Sequence, residues 1–313
     1  MRYFFFSLML LLCSGAKSQR IVWWNVENLF DCQHDSLKED QQFLPEGDYH
    51  WTRGRYWKKL DNLSRTIAAI AGEDAWPMII GMCEVENDTV LRDLTRRSPL
   101  RTARYAFIHE EGPDVRGVDV AMLYDSLQFH PLGHEAVRIP SIEHGFRPTR
   151  DILHVWGLCP TLPDTFHIII VHLPSRSGSG QKGEAHRRLA VGILCSLLDD
   201  LEGKNVLLMG DFNAEPNDNI FRSIRERMTS LMPQSRKELR REQGTYYFRR
   251  LWGFLDHILV SPRLLPFVQE QAQVGRFPFL LTEKGTPWRT FQGPVYKGGF
   301  SDHLPIWVDL LSR

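Results

Sequence analysis

The chain alternates short apolar runs of strand length with segments that repeat apolar residues at helical spacing. Two such helical segments are present, one between Trp57 and Gly72 and one that ends before Gly203. The predicted strands are Ile21–Asn25, Met78–Glu84, Asp119–Tyr124, Ile152–Leu158, Phe166–Leu173, Val206–Phe212, Leu255–Val260 and Leu304–Leu310. Segments rich in turn residues predict long loops at Asp31–Arg55, Glu135–Thr149 and Pro278–Gly299. No linker interrupts the alternation, so the pattern predicts one α/β or mixed α+β domain.

The first 18 residues differ from the rest of the chain. After a basic second residue, positions 4–13 form an almost unbroken apolar run, and Ala16 and Ser18 resemble the small-residue site where signal peptides are cleaved. The pattern predicts a signal peptide over residues 1–18, a mature domain over residues 19–313, and a secreted or periplasmic location. This run is shorter than the ~20 apolar residues that span a membrane. Later apolar runs have strand length, so we predict no transmembrane segment.

Composition and net charge restrict the classes of function that are possible without identifying one. Hydrophobic residues make up 42% of the chain and charged residues 24%, as in ordinary globular domains. Lys plus Arg equal Asp plus Glu at 38 each. The chain therefore lacks the excess positive charge of many nucleic-acid-binding proteins, although a neutral protein can carry a positive cleft. The mature chain has no CxxC pair and no zinc-ligand spacing among its cysteines, Cys32, Cys83, Cys159 and Cys195.

Polar side chains stand where several apolar runs end. Glu84 closes MIIGMCE, His172 follows FHIIIV, and Asp211 follows NVLLMG. Groups of this kind are costly to bury unless they are paired or bind a cation. Each alone is more simply explained as a turn or cap residue, but their recurrence predicts a functional site. The full set is Asn25, Glu27, Glu84, His172, Asp211, Asn213, Asp256, Asp302 and His303.

The oxygen-rich part of this set suits a hard divalent cation. Carboxylate and amide oxygens are the ligands that Mg²⁺, Mn²⁺ and Ca²⁺ prefer, whereas zinc favours thiolates and paired histidines. Such an ion neutralises phosphoryl oxygens and helps to align an attacking water. The residues therefore indicate metal-dependent hydrolysis of a phosphate ester, with Mg²⁺ as the expected metal.

Six short segments occur in the order seen in a known superfamily. They are WNVENLFD at 24–31, CEVEN at 83–87, HLPSR at 172–176, GDFN at 210–213, LDHILVS at 255–261 and GFSDHLPI at 299–306. On this ordered set, which spans nearly the whole mature chain, the sequence resembles the endonuclease/exonuclease/phosphatase superfamily. The resemblance implies a four-layer α/β sandwich, in which two packed mixed β-sheets are flanked by helices.

The resemblance also implies which residues bind the metal. Asn25 and Glu84 would bind the ion, and Glu27 and Asp302 would lie close to it. These positions all belong to the oxygen-bearing group that the strand ends had already indicated, so the resemblance and the residue chemistry agree on the metal.

Five residues receive catalytic roles from the resemblance. Asp211 would align or deprotonate the attacking water, and Asn213 would position that water or the phosphate. His303 would contact the scissile phosphate, with Asp256 as the partner that orients it and keeps it cationic. A carboxylate beside an imidazole has this effect on its pKa and tautomer. His172 would assist the leaving group.

Four further residues are candidates for supporting roles. Asp119, in GVDVAMLY, is a candidate for orienting His172, with a role as a plain strand-edge residue as the alternative. Arg150, Ser175 and Arg176 are candidates for gripping substrate phosphates, because guanidinium groups match phosphate oxygens. Surface arginines are common, so a structural role for each arginine is an equal alternative.

One motif points to a different function. Gly178, Gly180 and Gly183 satisfy G-x-G-x-x-G between a predicted strand and a predicted helix, which is the fingerprint of a dinucleotide-binding turn. Residues 173–177 separate the strand from the first glycine, whereas the motif needs glycine at the turn itself. We therefore interpret the segment as a loop beside His172 that contacts substrate.

Together these features predict a secreted, monomeric, metal-dependent phosphoesterase that acts as an endonuclease on nucleic acid. The alternative is a phosphatase or a sphingomyelinase-like phospholipase, acting on a phosphorylated small molecule or a lipid headgroup. The neutral net charge favours that alternative. A binding module that had lost its chemistry would show gaps in the set of site residues, and the sequence shows none.

Overall fold

A computed structural model describes residues 19–73, 75–175, 180–233 and 244–311, so the predicted signal peptide lies outside the described residues. In chain order the strands are β1 Gln19–Leu29, β2 Ile79–Val85, β3 Ala106–His109, β4 Asp119–Tyr124, β5 His130–Val137, β6 Ile152–Leu158, β7 Phe166–His172, β8 Asn205–Asp211, β9 Thr229–Ser230, β10 Tyr246–Phe248, β11 Leu251–Gly253, β12 Asp256–Val260, β13 Gln273–Val274, β14 Phe291–Gln292, β15 Val295–Tyr296 and β16 Ile306–Leu310. The α-helices are α1 Arg53–Ala71, α2 Asp88–Arg92, α3 Gly180–Asp200 and α4 Phe221–Arg225. Short 3-10 helices lie at Gln41–Phe43, Pro99–Ala103, Leu265–Phe267 and Pro278–Leu280, and a π-helical turn lies at Asp93–Arg97.

Two six-stranded mixed sheets form the centre of the fold. The first has the strand order β13–β16–β1–β2–β4–β3, and the second has the order β5–β6–β7–β8–β12–β9. Each contains one parallel pair, β1 with β2 and β7 with β8. The carboxyl ends of two parallel neighbours meet at the same edge of a sheet. The polar residues that follow these strands are therefore brought together.

Alternate side chains along each central strand face either the other sheet or a layer of helices. In β1, Ile21 and Trp23 pack between the two sheets, whereas Val22 and Trp24 pack against α1. The strand β8 alternates in the same way between the inner core and α3. With α1 and α2 on one outer face and α3 and α4 on the other, the layers run helix, sheet, sheet, helix. This confirms the predicted four-layer α/β sandwich.

All eight strands predicted from apolar runs are present, and the strands that were missed lack an apolar run long enough to recognise. The edge strand β5 is mostly exposed and polar, so it has no apolar run to reveal it. It corrects the predicted loop over Glu135–Thr149, because the strand continues to Val137. The remaining missed strands, such as β9 and β13, are too short to show a period.

Two helix boundaries also differ from prediction. The helix α1 begins at Arg53 instead of near Trp57, because the Thr52 side chain caps it by accepting a hydrogen bond from the backbone N–H of Arg55. The helix α3 already begins at Gly180, which corrects the interpretation of the glycine-rich segment as a loop from that point onward. Gly178 lies outside the described residues.

Candidate active site

Three neighbouring strands of the second sheet place three polar residues side by side. His172 at the end of β7 is paired with Asp211 at the end of β8, and Asp256 at the start of β12 is paired with Asp211 from the other side. The close packing of β7 and β8 explains Gly210, since a Cβ atom there would lie 2.3 Å from the carbonyl oxygen of Val171. The glycine of GDFN thus serves strand packing, and the aspartate reaches the site.

His303 forms a buried ion pair with Asp256. Its Nδ1 lies 2.7 Å from Asp256 Oδ2, and Trp23 Nε1 donates a hydrogen bond of 2.8 Å to the other carboxylate oxygen. Burial alone would lower the pKa of His303, but the Asp256 carboxylate outweighs it and raises that pKa to about 10. The imidazolium in turn holds the pKa of Asp256 below its usual value, against the effect of burial. His303 is therefore a cation at neutral pH.

The loop that carries His303 is fastened to the first sheet. Ser301 Oγ donates a hydrogen bond of 2.7 Å to the carbonyl oxygen of Asn25 and accepts one of 3.0 Å from the backbone N–H of His303. Trp24 Nε1 donates to the carbonyl oxygen of His303 at 2.9 Å. These contacts position an imidazole from one sheet over the strand ends of the other.

Asp211 occupies the centre of the site. Its Oδ1 accepts the backbone N–H of Asn213 at 2.8 Å, and its Oδ2 accepts Asn25 Nδ2 at 3.1 Å. The same Oδ2 lies 3.8 Å from His303 Nε2 and 3.7 Å from His172 Nε2. Burial raises the pKa of Asp211 to about 7, although the nearby imidazolium opposes the shift. A carboxyl group with such a pKa is suited to accept a proton from water near neutral pH.

His172 is buried in an environment without the carboxylate partner that was predicted for it. Its Nδ1 has no hydrogen-bond partner among the described residues. Burial, reinforced by the positive charges of Arg150 and Arg116, holds the pKa of His172 well below its usual range, so the ring is neutral. Asp119, the predicted orienting residue, instead accepts the backbone N–H of Gly112 at 3.0 Å. The structure does not join Asp119 to His172.

Asn25, Glu84 and Asp211 form an oxygen-rich group beside the two histidines. The amide of Asn25 bridges the carboxylates, with Nδ2 lying 3.4 Å from Glu84 Oε1 and 3.1 Å from Asp211 Oδ2. The other Glu84 oxygen accepts the backbone N–H of Asn28 at 2.8 Å. Two carboxylates held this close repel each other, and a divalent cation would relieve the repulsion. Their oxygen atoms fit a hard ion such as Mg²⁺.

A second grouping of potential metal ligands overlaps the first. Asp211, Asp256 and His303 offer ligand atoms that lie within 4.8 Å of one another, a spacing consistent with a divalent metal. A protonated imidazole has no lone pair to give to a metal, and the Nδ1 of His303 is already bonded to Asp256. The better ligands are therefore the Glu84 carboxylate and Asn25 Oδ1, which accepts the backbone N–H of Glu27 at 3.0 Å and keeps a second lone pair.

Backbone strain is concentrated around this oxygen-rich group. Eight non-glycine residues in the described chain have a positive φ, and four of them are Glu27, Asn28, Glu84 and Asn213, with φ of 51°, 52°, 63° and 49°. Residues with a side chain seldom adopt this conformation, and strain of this kind clusters at functional sites. The strained backbone turns polar side chains inward at the strand ends.

Glu27 and Asp302, which were predicted to lie close to the metal, make contacts of their own. The two oxygens of Glu27 accept backbone N–H groups from Thr290 at 2.6 Å and Phe291 at 3.1 Å. Both oxygens of Glu27 thus hold a loop, and its place close to the metal stays a prediction. Asp302 Oδ2 accepts a hydrogen bond of 2.7 Å from Arg289 Nη2. Both carboxylates thus fasten residues 289–291 beside the site.

The three residues predicted to bind substrate phosphates differ in their exposure and contacts. Arg150 is 5% exposed and bonds Asp114 Oδ2 at 2.9 Å and the carbonyl oxygen of Leu173 at 3.2 Å. It therefore positions the segment after His172, which favours the structural role that was the alternative to a substrate contact. Ser175 is exposed next to this segment, and Arg176 lies outside the described residues.

Sequence reasoning missed two arginines near the site. Arg116 is exposed and pairs with Asp114, the buried carboxylate that also binds Arg150, with Arg116 Nη2 lying 3.4 Å from Asp114 Oδ2. Arg289 reaches Asp302, and the two side chains belong to distant loops. Neither arginine follows an apolar run or belongs to a motif, so no local signal distinguishes them from surface arginines.

The chain matches one family model and is similar in fold to several solved structures. A family model described as Endonuclease/Exonuclease/phosphatase family matches residues 20–312. The mannosyl-6-phosphatase of Bacteroides thetaiotaomicron is 16% identical, with 94% of this chain and 100% of that chain covered and a TM-score of 0.59. The human Nocturnin catalytic domain with a bound sulfate anion is 19% identical, with 94% of each chain covered and a TM-score of 0.59. A humanized D. rerio TDP2 is 14% identical, with 94% and 99% covered and a TM-score of 0.60.

These structural likenesses are too remote in sequence to show more than the shared fold. No curated protein sequence matches the chain. Within the described residues, no helix combines the length and apolar character needed to cross a membrane.

Proposed function

We propose that this chain hydrolyses phosphodiester bonds in nucleic acid as an exported enzyme. The chain belongs to the endonuclease/exonuclease/phosphatase family and is a metal-dependent phosphoesterase. One observation carries the proposal. Asp211 Oδ2 lies within 3.8 Å of a cationic imidazole and 3.7 Å of a neutral one, inside a buried centre. Such a centre offers a base to the attacking water, a fixed positive charge to a non-bridging phosphoryl oxygen and a second imidazole to the leaving-group oxygen.

On the side of the attacking water, the ionised Asp211 accepts a proton. The water oxygen forms a bond to phosphorus while its proton moves to the carboxylate. Asn213 keeps that carboxylate in place through its backbone N–H, and its own amide is bonded to the carbonyl oxygen of Leu173 at 3.0 Å. His303 donates its Nε2–H to a non-bridging phosphoryl oxygen, whose negative charge grows in the transition state.

On the side of the leaving group, His172 supports the ester oxygen. In the tautomer that carries the proton on Nε2, it hydrogen-bonds this oxygen as the bond to phosphorus breaks. The departing alkoxide takes a proton from solvent water, and Asp211 returns its proton to solvent, so the alcohol is released and the site is restored. A divalent cation, when bound by Glu84 and Asn25, supplies charge neutralisation on the phosphoryl oxygens. The neutral state of His172 and the cationic state of His303 thus suit different oxygens of one phosphate.

Two features support nucleic acid as the substrate. Arg289 lies beside the centre at Asp302, where its guanidinium group can contact a phosphate of the substrate. The pattern of residues 1–18, typical of a signal peptide, supports an exported enzyme that meets extracellular nucleic acid. The fold likeness to a mannosyl-6-phosphatase makes a sugar phosphate the competing substrate to be tested.

The test compares substrates on the mature protein, residues 19–313, with Mg²⁺, Mn²⁺ or Ca²⁺. Plasmid DNA, single-stranded RNA, mannose 6-phosphate and sphingomyelin vesicles are offered separately. We expect nucleic acid cleavage that EDTA abolishes and that Asp211→Asn reduces by about 100- to 10,000-fold. Hydrolysis of mannose 6-phosphate or sphingomyelin without cleavage of nucleic acid contradicts the substrate. Wild-type rates in Asp211→Asn contradict the active-site assignment itself.

Export has a separate test. Cells that express the full chain are fractionated, and the N-terminus of the recovered protein is sequenced. We expect protein that begins near Gln19 outside the cytoplasm, and a cytoplasmic protein that retains residues 1–18 contradicts export.

A further inference from the structure

A cleft of about 730 Å³ opens beside Asp302 and Arg289. One wall is the tip of the β10–β11 hairpin, residues 247–249, and the other wall comes from residues 282–289 together with Gln292 and Lys297. We name it the outer cleft. It has the volume of a site for a small organic ligand, which is about 300–1,000 Å³.

The outer cleft adjoins the catalytic centre at Asp302. Asp302 lines it and is the neighbour of His303 in the chain. The ring of Tyr246, at the base of the hairpin, lies 4.6 Å from the ring of His303 and is hydrogen-bonded to Arg289. The hairpin therefore contacts the catalytic histidine at its base and lines the cleft at its tip. A substrate held at His303 extends into this space if it has a group beyond the scissile phosphate.

The outer cleft carries an excess of positive charge. Arg249, Lys284 and Lys297 line it together with the acidic Glu283, while Arg289 and Asp302 pair with each other at 2.7 Å. The chain as a whole has a formal net charge of +0. A concentration of cations in one concave surface of a neutral molecule favours an anionic ligand at that place.

Aromatic side chains stand among these cations. Trp288 is 40% exposed and Phe248 is 52% exposed, and both line the outer cleft. The indole of Trp288 is held in place by a hydrogen bond of 3.1 Å from its Nε1 to the carbonyl oxygen of Lys297. The Arg249 guanidinium lies 5.2 Å from the centre of the Phe248 ring. Ordered aromatic faces interleaved with cations are typical of sites that bind single-stranded nucleic acid.

The turn at the tip of the hairpin is strained. Phe248 pairs with Leu251, so Arg249 and Arg250 alone form the turn, with φ of 49° and 66°. Two positive φ values in a two-residue turn are normally supplied by Asn and Gly. Here two arginines occupy them, which costs stability, and strain of this kind clusters at ligand-binding sites. The turn holds a guanidinium at the lip of the cleft.

We propose that the outer cleft binds the part of a single-stranded polynucleotide that adjoins the scissile phosphate. Arg249, Lys284 and Lys297 contact a neighbouring phosphate, and an unpaired base stacks on Trp288 or Phe248. A duplex hides its base faces and a sugar phosphate has none, so the exposed aromatic faces favour a single strand. The inference rests on the proposed function, because it assigns a substrate class to the same site.

The experiment measures binding and cleavage separately. Anisotropy of a fluorescein-labelled single-stranded oligonucleotide in EDTA gives Kd. The ratio of kcat/KM for that oligonucleotide to kcat/KM for methyl p-nitrophenyl phosphate, which has no base and no second phosphate, gives the contribution of the cleft. Trp288→Ala and the double variant Arg249→Ala/Lys284→Ala are compared with Trp288→Phe and with Arg222→Ala/Arg263→Ala, a matched loss of two exposed arginines outside the cleft.

We expect Trp288→Ala to weaken binding and lower the kcat/KM ratio by about 5- to 150-fold, the range of one base stack. Trp288→Phe retains an aromatic face and recovers most of the loss. The double variant weakens binding and lowers the slope of log Kd against log salt by about one per lost phosphate contact. Arg222→Ala/Arg263→Ala changes neither quantity.

Three results overturn the inference in distinguishable ways. Cleavage of the oligonucleotide with unchanged binding in Trp288→Ala and in the double variant shows that the strand avoids the cleft, and leaves the proposed function standing. Equal losses for duplex and single-stranded substrates exclude stacking on an unpaired base. A wild-type protein that neither binds nor cleaves nucleic acid, but hydrolyses mannose 6-phosphate or sphingomyelin, overturns both the inference and the proposed substrate.

Discussion

The two histidines of the active site are equally buried and lie equally far from the same carboxylate oxygen, and yet they differ in charge. His303 and His172 are each 5% exposed, and their Nε2 atoms lie 3.8 Å and 3.7 Å from the same oxygen of Asp211. His303 has Asp256 at 2.7 Å from its Nδ1, and its pKa is raised to about 10. The Nδ1 of His172 has no partner in the described chain, and its pKa is held well below the usual range.

This comparison shows that neither burial nor the shared carboxylate sets the charge of these imidazoles. A close carboxylate outweighs the cost of burying a cation, and without one the neutral ring is the cheaper form. The centre can thus hold a permanent cation and a neutral imidazole within reach of one phosphate. Four predictions test this difference, beginning with the largest effect.

Removing the charge of Asp256 should make the two histidines alike. In Asp256→Asn the amide oxygen can still accept the Trp23 hydrogen bond, but it no longer stabilises the imidazolium. We expect kcat to fall by about 100- to 10,000-fold, as for loss of a positioned catalytic group. The loss should grow from about pH 6 to pH 9, because the pKa of His303 falls once burial is unopposed.

The matched control is Asp309→Asn. Asp309 is also a buried, salt-bridged aspartate, but it pairs with Arg20 at 2.8 Å at the far end of β16. Its variant should lose stability and keep its kcat. Equal losses of kcat in the two variants would show that the effect of Asp256→Asn is only structural.

Replacing His172 should have a smaller effect than neutralising Asp256. We expect His172→Gln to lower kcat by about 10- to 100-fold, toward the lower end for proton-transfer groups, because the wild-type ring is neutral and acts by hydrogen bonding. The shape of the pH profile above neutrality should remain that of the wild type. A loss as large as that of Asp256→Asn, with a shifted profile, contradicts the division of roles.

The charge of His303 should appear in the pH dependence of stability. Its pKa is about 10 in the folded protein and 6.5 as the ordinary value, so its stabilising contribution is complete below pH 6.5 and is lost as the pH rises through about 10. Between these limits the free energy of unfolding of Asp211→Asn, relative to Asp211→Asn/Asp256→Asn/His303→Gln, should fall by about 1.4 kcal/mol per pH unit. In this pair of variants neither neighbouring carboxyl group titrates in only one of the two proteins.

Urea unfolding of both proteins without metal, at several pH values in this window, measures that difference. The buried Lys59, whose pKa is lowered to about 8 by burial, contributes to both proteins and cancels. A difference in stability that stays constant with pH means that His303 is not held as a cation.

Asp119 should matter least. Its carboxylate accepts the backbone N–H of Gly112, and the oxygen of an asparagine can accept the same hydrogen bond. We expect Asp119→Asn to keep kcat within about twofold of the wild type, as for changes outside the catalytic contacts. A tenfold or greater loss would restore Asp119 as the residue that orients His172.

Much of the centre could be predicted because it depends on strand order. His172, Asp211 and Asp256 stand at the ends of apolar runs, and pairing of β7, β8 and β12 brings them together. The apolar residues of the central strands must face the core, so the local pattern of apolar and polar residues is enough to identify those strands and their ends. The same reasoning fails for edge strands such as β5, whose side chains are mostly exposed.

The rest of the site depends on partners that are distant in the chain. Glu27 was predicted to lie close to the metal, and its carboxylate accepts the backbone N–H of Thr290, which is 263 residues away. Arg150 was a candidate for gripping phosphate or for a structural role, and it pairs with Asp114 in a buried contact. Side-chain partners that arrive from separate loops leave no trace in the local sequence, so these assignments required the folded chain.

By itself, the pattern of the sequence determined the α/β class of the domain, the strand ends at which chemistry is placed, and the reaction class that an Asp, His and amide set supports. The four layers were implied by the resemblance to a known superfamily. The tertiary structure alone decided which histidine is charged, which carboxylates hold loops, and that a cationic and aromatic cleft lies beside Asp302. The physical reason is that hydrophobic periodicity is a property of neighbouring residues. A pKa or a cleft depends on distances between residues far apart in the chain, and only packing sets those distances.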